Sequence, residues 1–148
     1  MKFFFQKSFI SEVKKLLKKN SYKDCETAII KDIFKLESDD LLAQCMAYRL
    51  NPNAKNPIAK LRAGSEQGKS SSYRVYLIAV AIKDNYYFGY IYPKQGVHGK
   101  SALKSKEETK IIKNLLNDIK ENNVVEVQLN KNKDKICFVS DKKEIFKK

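Results

Sequence analysis

Between Tyr73 and Tyr92 the chain carries two β-type runs separated by a short polar turn, and this stretch constrains the fold more than any other. The first run is Tyr73-Arg74-Val75-Tyr76-Leu77-Ile78-Ala79-Val80-Ala81-Ile82; Lys83-Asp84-Asn85 follows, and then an aromatic run from Tyr86 to Tyr92. Two such runs around a tight turn predict a β-hairpin. Val75 to Ile82 is apolar at every position, which predicts a central strand covered on both faces. Cations cluster where the strands begin and end. Lys60, Arg62, Lys69 and Arg74 stand at one side and Lys94 and Lys100 at the other. Fixed positive charges gathered at a sheet edge suit a phosphate backbone.

Charge carries the next constraint. Thirty Lys and Arg against 17 Asp and Glu give a formal net charge of +13 over 148 residues. That excess points to a polyanionic partner such as RNA, DNA, an acidic protein or an anionic membrane surface; the bland alternative is a lysine-rich solvated surface. No run reaches the roughly 20 apolar residues that a spanning helix needs. The first residues, Met1-Lys2-Phe3-Phe4-Phe5, are too short an apolar run for a secretory signal. Cys25, Cys45 and Cys137 are odd in number and widely spaced, which reads as buried thiols in a reducing compartment. The expected location is therefore cytoplasmic.

Taken in order, Phe3-Phe4-Phe5 reads as a short strand. Phe9, Val13, Leu16 and Leu17 then make a helical stripe over about Ser8 to Lys19. Ser21, with Asp24 three residues on, predicts the cap of a second helix whose stripe is Cys25, Ile29, Ile33 and Leu36. Ser38-Asp39-Asp40 opens one more helical turn through Leu41, Leu42 and Cys45, and Pro52 and Pro57 mark turns. Ile58 to Arg62 reads as an edge strand leading into a Gly/Ser loop. After the hairpin, Ser105-Lys106-Glu107-Glu108 predicts a capped helix with Ile111, Ile112, Leu115, Leu116 and Ile119 on its apolar face. Val125, Val127 and Leu129, then Ile136 and Phe138, alternate as two edge strands or a second hairpin. The expectation is one α+β domain over residues 1–148. Its small twisted antiparallel sheet has two N-terminal helices packed on it and a later helix, with residues 122–148 as a C-terminal β extension.

The chemistry is restricted by what is missing. A single His, scattered Cys and no carboxylate cluster offer no metal site, and Gly68-Lys69-Ser70 is only a fragment of a phosphate loop. No cofactor is expected. Metal-free phosphate chemistry by cations remains. RNA supplies its own 2′-hydroxyl nucleophile, so an enzyme has only to align it, accept its proton and neutralise the charge that develops on phosphorus. Arg62 and Arg74 suit clamping, because their guanidinium donors are fixed and forked. Lys60 or Lys69, crowded by other cations, suits the base. His98 is either a solvated loop histidine or a proton carrier near neutral pH. Tyr73, Tyr90 or Tyr92 could stack on an unpaired base or serve only in packing.

At these residues the sequence resembles the RelE/ParE superfamily of toxins, most of all its HigB-type branch. The resemblance rests on Lys60-Leu61-Arg62, on Gly68-Lys69-Ser70-Ser71-Ser72-Tyr73-Arg74-Val75, on Ile91-Tyr92-Pro93-Lys94 and on the helix opening at Ser105. It covers about residues 1–121. It implies the toxin of a type II toxin–antitoxin pair, a metal-independent endoribonuclease that cuts mRNA on the ribosome and is held in a hetero-oligomer by its antitoxin. By the same resemblance Arg74 contacts the scissile phosphate, Lys60 and Lys69 match basic residues of the family, and Lys94 and His98 fall where the family places further basic or acid residues. With the residue-level reading added, the expected catalytic set is Lys60, Arg62, Lys69, Arg74 and His98, and the expected RNA-binding set is Tyr73, Tyr92, Lys94 and Lys100. Serines replace the usual glycines at positions 71 and 72, and Ile58 stands where a further cation is usual. Two alternatives stay open: a gyrase-inhibiting toxin of the ParE kind, and an RNA-binding protein without turnover.

Overall fold

The computed structural model describes residues 1–52, 55–64, 72–100 and 102–147. Strand β1 (Lys2–Gln6) leads directly into helix α1 (Lys7–Leu17); a 3₁₀ turn (Asn20–Tyr22) precedes α2 (Cys25–Ile29), which runs on as a π-helical turn (Ile30–Phe34), and α3 (Ser38–Ala47) follows. The hairpin region comprises β2 (Ile58–Ala63), β3 (Tyr73–Val80) and β4 (Asn85–Pro93). Helix α4 (Ser105–Lys120) and the strands β5 (Val124–Leu129) and β6 (Ile136–Phe138) complete the chain. The architecture is α+β, with one six-stranded sheet in the order β2-β3-β4-β1-β5-β6. All neighbours are antiparallel except β1 and β4. Among the described residues no helix is long and apolar enough to cross a membrane.

Strand alternation sorts the side chains into two faces. On one face Phe3, Phe5, Leu61, Val75, Leu77 and Phe88 meet Phe9, Val13, Ile29, Ile33, Phe34, Leu41 and Cys45 of α1, α2 and α3 in a continuous core. Aromatic rings dominate its centre: Phe5 lies 4.7 Å from Phe9 and 5.3 Å from Phe88, centroid to centroid. The C-terminal segment closes the same core through Val127, Ile136, Ile145 and Phe146. Glu26 of α2 ties it down, accepting the Ile136 N–H at 2.8 Å and lying 3.6 Å from the Lys135 ammonium. All three cysteines are buried and free.

Helix α4 covers part of the opposite face. Leu115 is buried there, and a methyl group added to Gly89 would sit 2.7 Å from a Leu115 methyl carbon, so glycine is what lets helix and strand approach. Gly89 is also where the β3–β4 register slips between Tyr76 and Leu77. That bulge keeps Tyr90 opposite Tyr76 and Tyr92 opposite Arg74.

Several local expectations shift. The third helical element is ten residues long and not a single turn. The second helix begins at Cys25 and not at Ser21, because the Asp24 carboxylate is taken by Tyr73 and not by the helix end. Helix α4 is capped one residue early: Glu107 accepts the Lys104 N–H, which leaves Glu108 to accept the Tyr76 hydroxyl at 2.6 Å. The sheet is mixed, since β1 lies parallel to β4, and three helices cover one face where two were expected.

Candidate nucleic-acid interface

The register of three strands assembles the site. Lys60 stands opposite Tyr76 and Arg62 opposite Arg74 across β2 and β3; Arg74 stands opposite Tyr92 and Tyr76 opposite Tyr90 across β3 and β4. All six side chains therefore leave the face that the α1–α3 helices do not cover. The Lys60 ammonium lies 5.8 Å from the Tyr76 ring centroid and 5.9 Å from that of Tyr92, within the range of a cation–π attraction.

The electrostatics are one-sided. Burial first and Arg62 second push the Arg74 pKa down, with Tyr92 acting the other way. Lys94, just beyond β4, has its pKa lowered by desolvation and then by Arg74, Lys60 and Arg62. Four of the residues nominated from the sequence thus act on one another electrostatically. The crowding expected to loosen a lysine proton falls on Lys94. Like charges directly opposite one another in a sheet are unfavourable, yet among the described residues no carboxylate pairs with Lys60, Arg62 or Arg74.

Beside this face an open groove of about 660 Å³ runs along the β2 edge, lined by Lys31, Asp32, Gln44, Tyr48, Lys60, Arg62 and Arg74 among others. One oxygen of Asp32 is committed to the Gly64 N–H at 2.6 Å. Tyr48 is 61% exposed and supplies the accessible aromatic ring of the groove. It was not nominated from the sequence. Tyr48 follows Leu41 by seven residues and Cys45 by three, so helical periodicity places it in the core stripe, but α3 ends at Ala47 and the ring turns outward. Lys31 and Gln44 were missed too, since a polar residue on an amphipathic helix looks the same whether it borders a groove or bulk water.

Three nominated residues stand elsewhere. Tyr73 points to the helix-covered face, is 1% exposed and donates its hydroxyl to Asp24 at 2.5 Å; the one-residue step from Arg74 reverses its direction, so it cannot meet RNA. His98 packs against Tyr22, with ring centroids 6.0 Å apart, and its backbone N–H donates to the Tyr22 hydroxyl. It lines a smaller pocket of about 240 Å³ with Glu12, Lys15, Tyr92 and Lys100. Lys100 lies 4.0 Å from Glu107 at the start of α4. Tyr92 is on the cationic face, but its ring is 1% exposed, between Tyr76 and Tyr90. A base cannot stack on it. Lys69 lies outside the described residues.

Among the described residues, the buried side-chain nitrogens and oxygens without a hydrogen-bond partner are Arg74 Nη1, Tyr92 Oη and His98 Nε2. Native interiors leave few such groups. All three belong to residues that the sequence nominated for function. Comparison with protein-family models, with curated proteins and with solved structures finds no match to this chain.

Proposed function

We propose that this protein is a metal-independent endoribonuclease that cuts mRNA, acting as the toxin of a type II toxin–antitoxin pair in association with the ribosome. The observation that carries the reading is a cation cluster of Lys60, Arg62, Arg74 and Lys94 on one sheet face, with Arg74 Nη1 buried and unpartnered. A partly desolvated guanidinium without a carboxylate is stabilised when an anion arrives, and a phosphodiester offers one.

In the reaction the ribose 2′-oxygen forms a bond to phosphorus while the bond to the 5′-oxygen breaks. The products are a 2′,3′-cyclic phosphate and a 5′-hydroxyl, whose oxygen takes its proton from solvent water as it departs. Arg74 and Arg62 hold the non-bridging oxygens and offset the charge of the phosphorane. Lys94 takes the 2′-hydroxyl proton; its support is a lowered pKa, which brings an unprotonated amine closer to neutral pH. Tyr48 stacks on an exposed base at the groove rim. A cognate antitoxin would bury this face and supply the missing carboxylates.

The test is induction of the protein in bacterial cells, beside Arg74→Ala, with transcripts mapped at their 5′ ends. Growth arrest with cleaved transcripts, both abolished by Arg74→Ala, supports the nuclease. Arrest with intact transcripts and DNA damage supports gyrase inhibition instead. Unimpaired growth together with RNA binding by the purified protein supports an RNA-binding role without turnover. Cleavage of purified mRNA with and without ribosomes, in chelator, decides ribosome dependence.

A further inference from the structure

Tyr76 and Tyr92 are neighbours on the cationic face, with ring centroids 6.4 Å apart, but their hydroxyls differ in kind. That of Tyr76 is committed to Glu108. That of Tyr92 is buried and has no partner. The cross-strand residue opposite Tyr92 is Arg74, whose Nη1 is the other unpartnered buried atom on this face. Leaving either group unsatisfied costs on the order of 1–3 kcal/mol, so two side by side mark a site whose ligand supplies acceptors. A single water could accept from the hydroxyl, but it would not offset the charge of Lys60, Arg62 and Arg74. An oxyanion does both.

We infer that Arg74 and Tyr92 form a two-donor oxyanion pocket that grips one non-bridging oxygen of a phosphodiester, with Tyr92 acting through its hydroxyl and not through its ring. This rests on the reading of the cationic face as a phosphate site and adds a donor and a direction to it. The forked guanidinium supplies charge and the phenol supplies a fixed second hydrogen bond. Together they set the orientation of the phosphate relative to Lys60, which stands over the same Tyr92 ring.

Inorganic sulfate is the probe, because it is fully ionised at neutral pH and cannot be cleaved. The purified full-length protein is titrated while the Arg74 side-chain nitrogen resonance is followed, beside Tyr92→Phe and, as a control away from the cation cluster, Tyr87→Phe, whose ring stacks on Phe4. A saturable shift in the wild type that is weakened about tenfold by Tyr92→Phe, the equivalent of one hydrogen bond to a charged group, and left unchanged by Tyr87→Phe supports the pocket. Thermal melting without sulfate separates this from a structural role: Tyr92→Phe removes a buried hydroxyl that makes no hydrogen bond of normal geometry and acts on the Tyr76 hydroxyl, itself already committed to Glu108, so it melts at or above the wild-type temperature. Sulfate binding indifferent to the Tyr92 hydroxyl, absence of any saturable shift, or a lowered melting temperature overturns it. The nuclease reading is judged separately. Tyr92-dependent sulfate binding in a protein that cuts no RNA upholds the pocket and sinks the nuclease, whereas RNA cleavage that Tyr92→Phe leaves at the wild-type rate does the reverse.

Discussion

Tyr73 and Tyr92 lie on adjacent strands, are equally buried at 1% exposure, and point to opposite sides of the sheet. On the helix-covered side three tyrosine hydroxyls are matched: Tyr73 donates to Asp24, Tyr22 to the Gln95 carbonyl, and Tyr86 to the Ser38 carbonyl. On the cationic side Tyr92 Oη and Arg74 Nη1 are unmatched, and like charges face one another across β2 and β3. The three matched hydroxyls serve stability, since each recovers what it loses on leaving water. The cationic face gives up some stability, which the proposed function assigns to anion binding.

The contrast can be broken by exchanging the expected consequences. Phe88→Ala on the closed face should cost about 3–5 kcal/mol of unfolding free energy, the usual cost of emptying an aromatic core site, read by denaturant titration. Arg74→Ala should leave unfolding free energy unchanged or higher, because it removes a partly buried charge from beside Arg62. It should still lower RNA cleavage by about 10²–10³-fold, the range for removing one oxyanion donor. A destabilised Arg74→Ala would mean that this arginine is a structural residue and that the contrast is false.

Smaller effects sharpen it. Tyr73→Phe strips a half-buried carboxylate of its charge-assisted hydrogen bond and should cost about 1.5–3 kcal/mol of stability, with the cleavage rate intact. Arg62→Ala, at an exposed position beside the groove, leaves one RNA phosphate without its cation. The slope of log affinity for single-stranded RNA against log salt should flatten by about 0.7 as a result. An unchanged slope would remove Arg62 from the interface.

The smallest effect concerns Glu26, under the C-terminal hairpin. Burial raises its pKa from the ordinary 4.5, opposed by the Ile136 N–H and by Lys135. A carboxyl whose pKa is higher folded than unfolded binds more protons in the folded state, so its contribution falls as pH rises above 4.5. Glu26→Gln keeps an acceptor for Ile136 and abolishes that loss. Its melting temperature should equal or exceed the wild-type value at pH 7, and the difference should shrink in acid as Glu26 protonates. A deficit at pH 7 would show that the pair with Lys135 outweighs desolvation.

Most of the elements were legible because their causes are local. The apolar run of β3, the stripe of α1, the edge position of β2 and the alternation of β5 and β6 follow from period and turn chemistry within short windows. Helix starts slipped for Ser21 and Ser105 because a carboxylate was drawn elsewhere, Asp24 to Tyr73, or reached back one residue further, Glu107 to Lys104. Tyr73 was misassigned as an RNA-binding residue because a strand that is apolar on both faces carries no signal of which face is open.

The sequence by itself determined that this chain is a strongly basic α+β protein, with Arg62 and Arg74 placed at the ends of β-type runs, since charge and hydrophobic period are properties of consecutive residues. Only the tertiary structure decided which cations share a face, that desolvation and then its cationic neighbours lower the pKa of Lys94, and that Tyr92 Oη and Arg74 Nη1 are buried without partners. Strand register and the placement of α4 set those distances, and both depend on residues far apart in the chain.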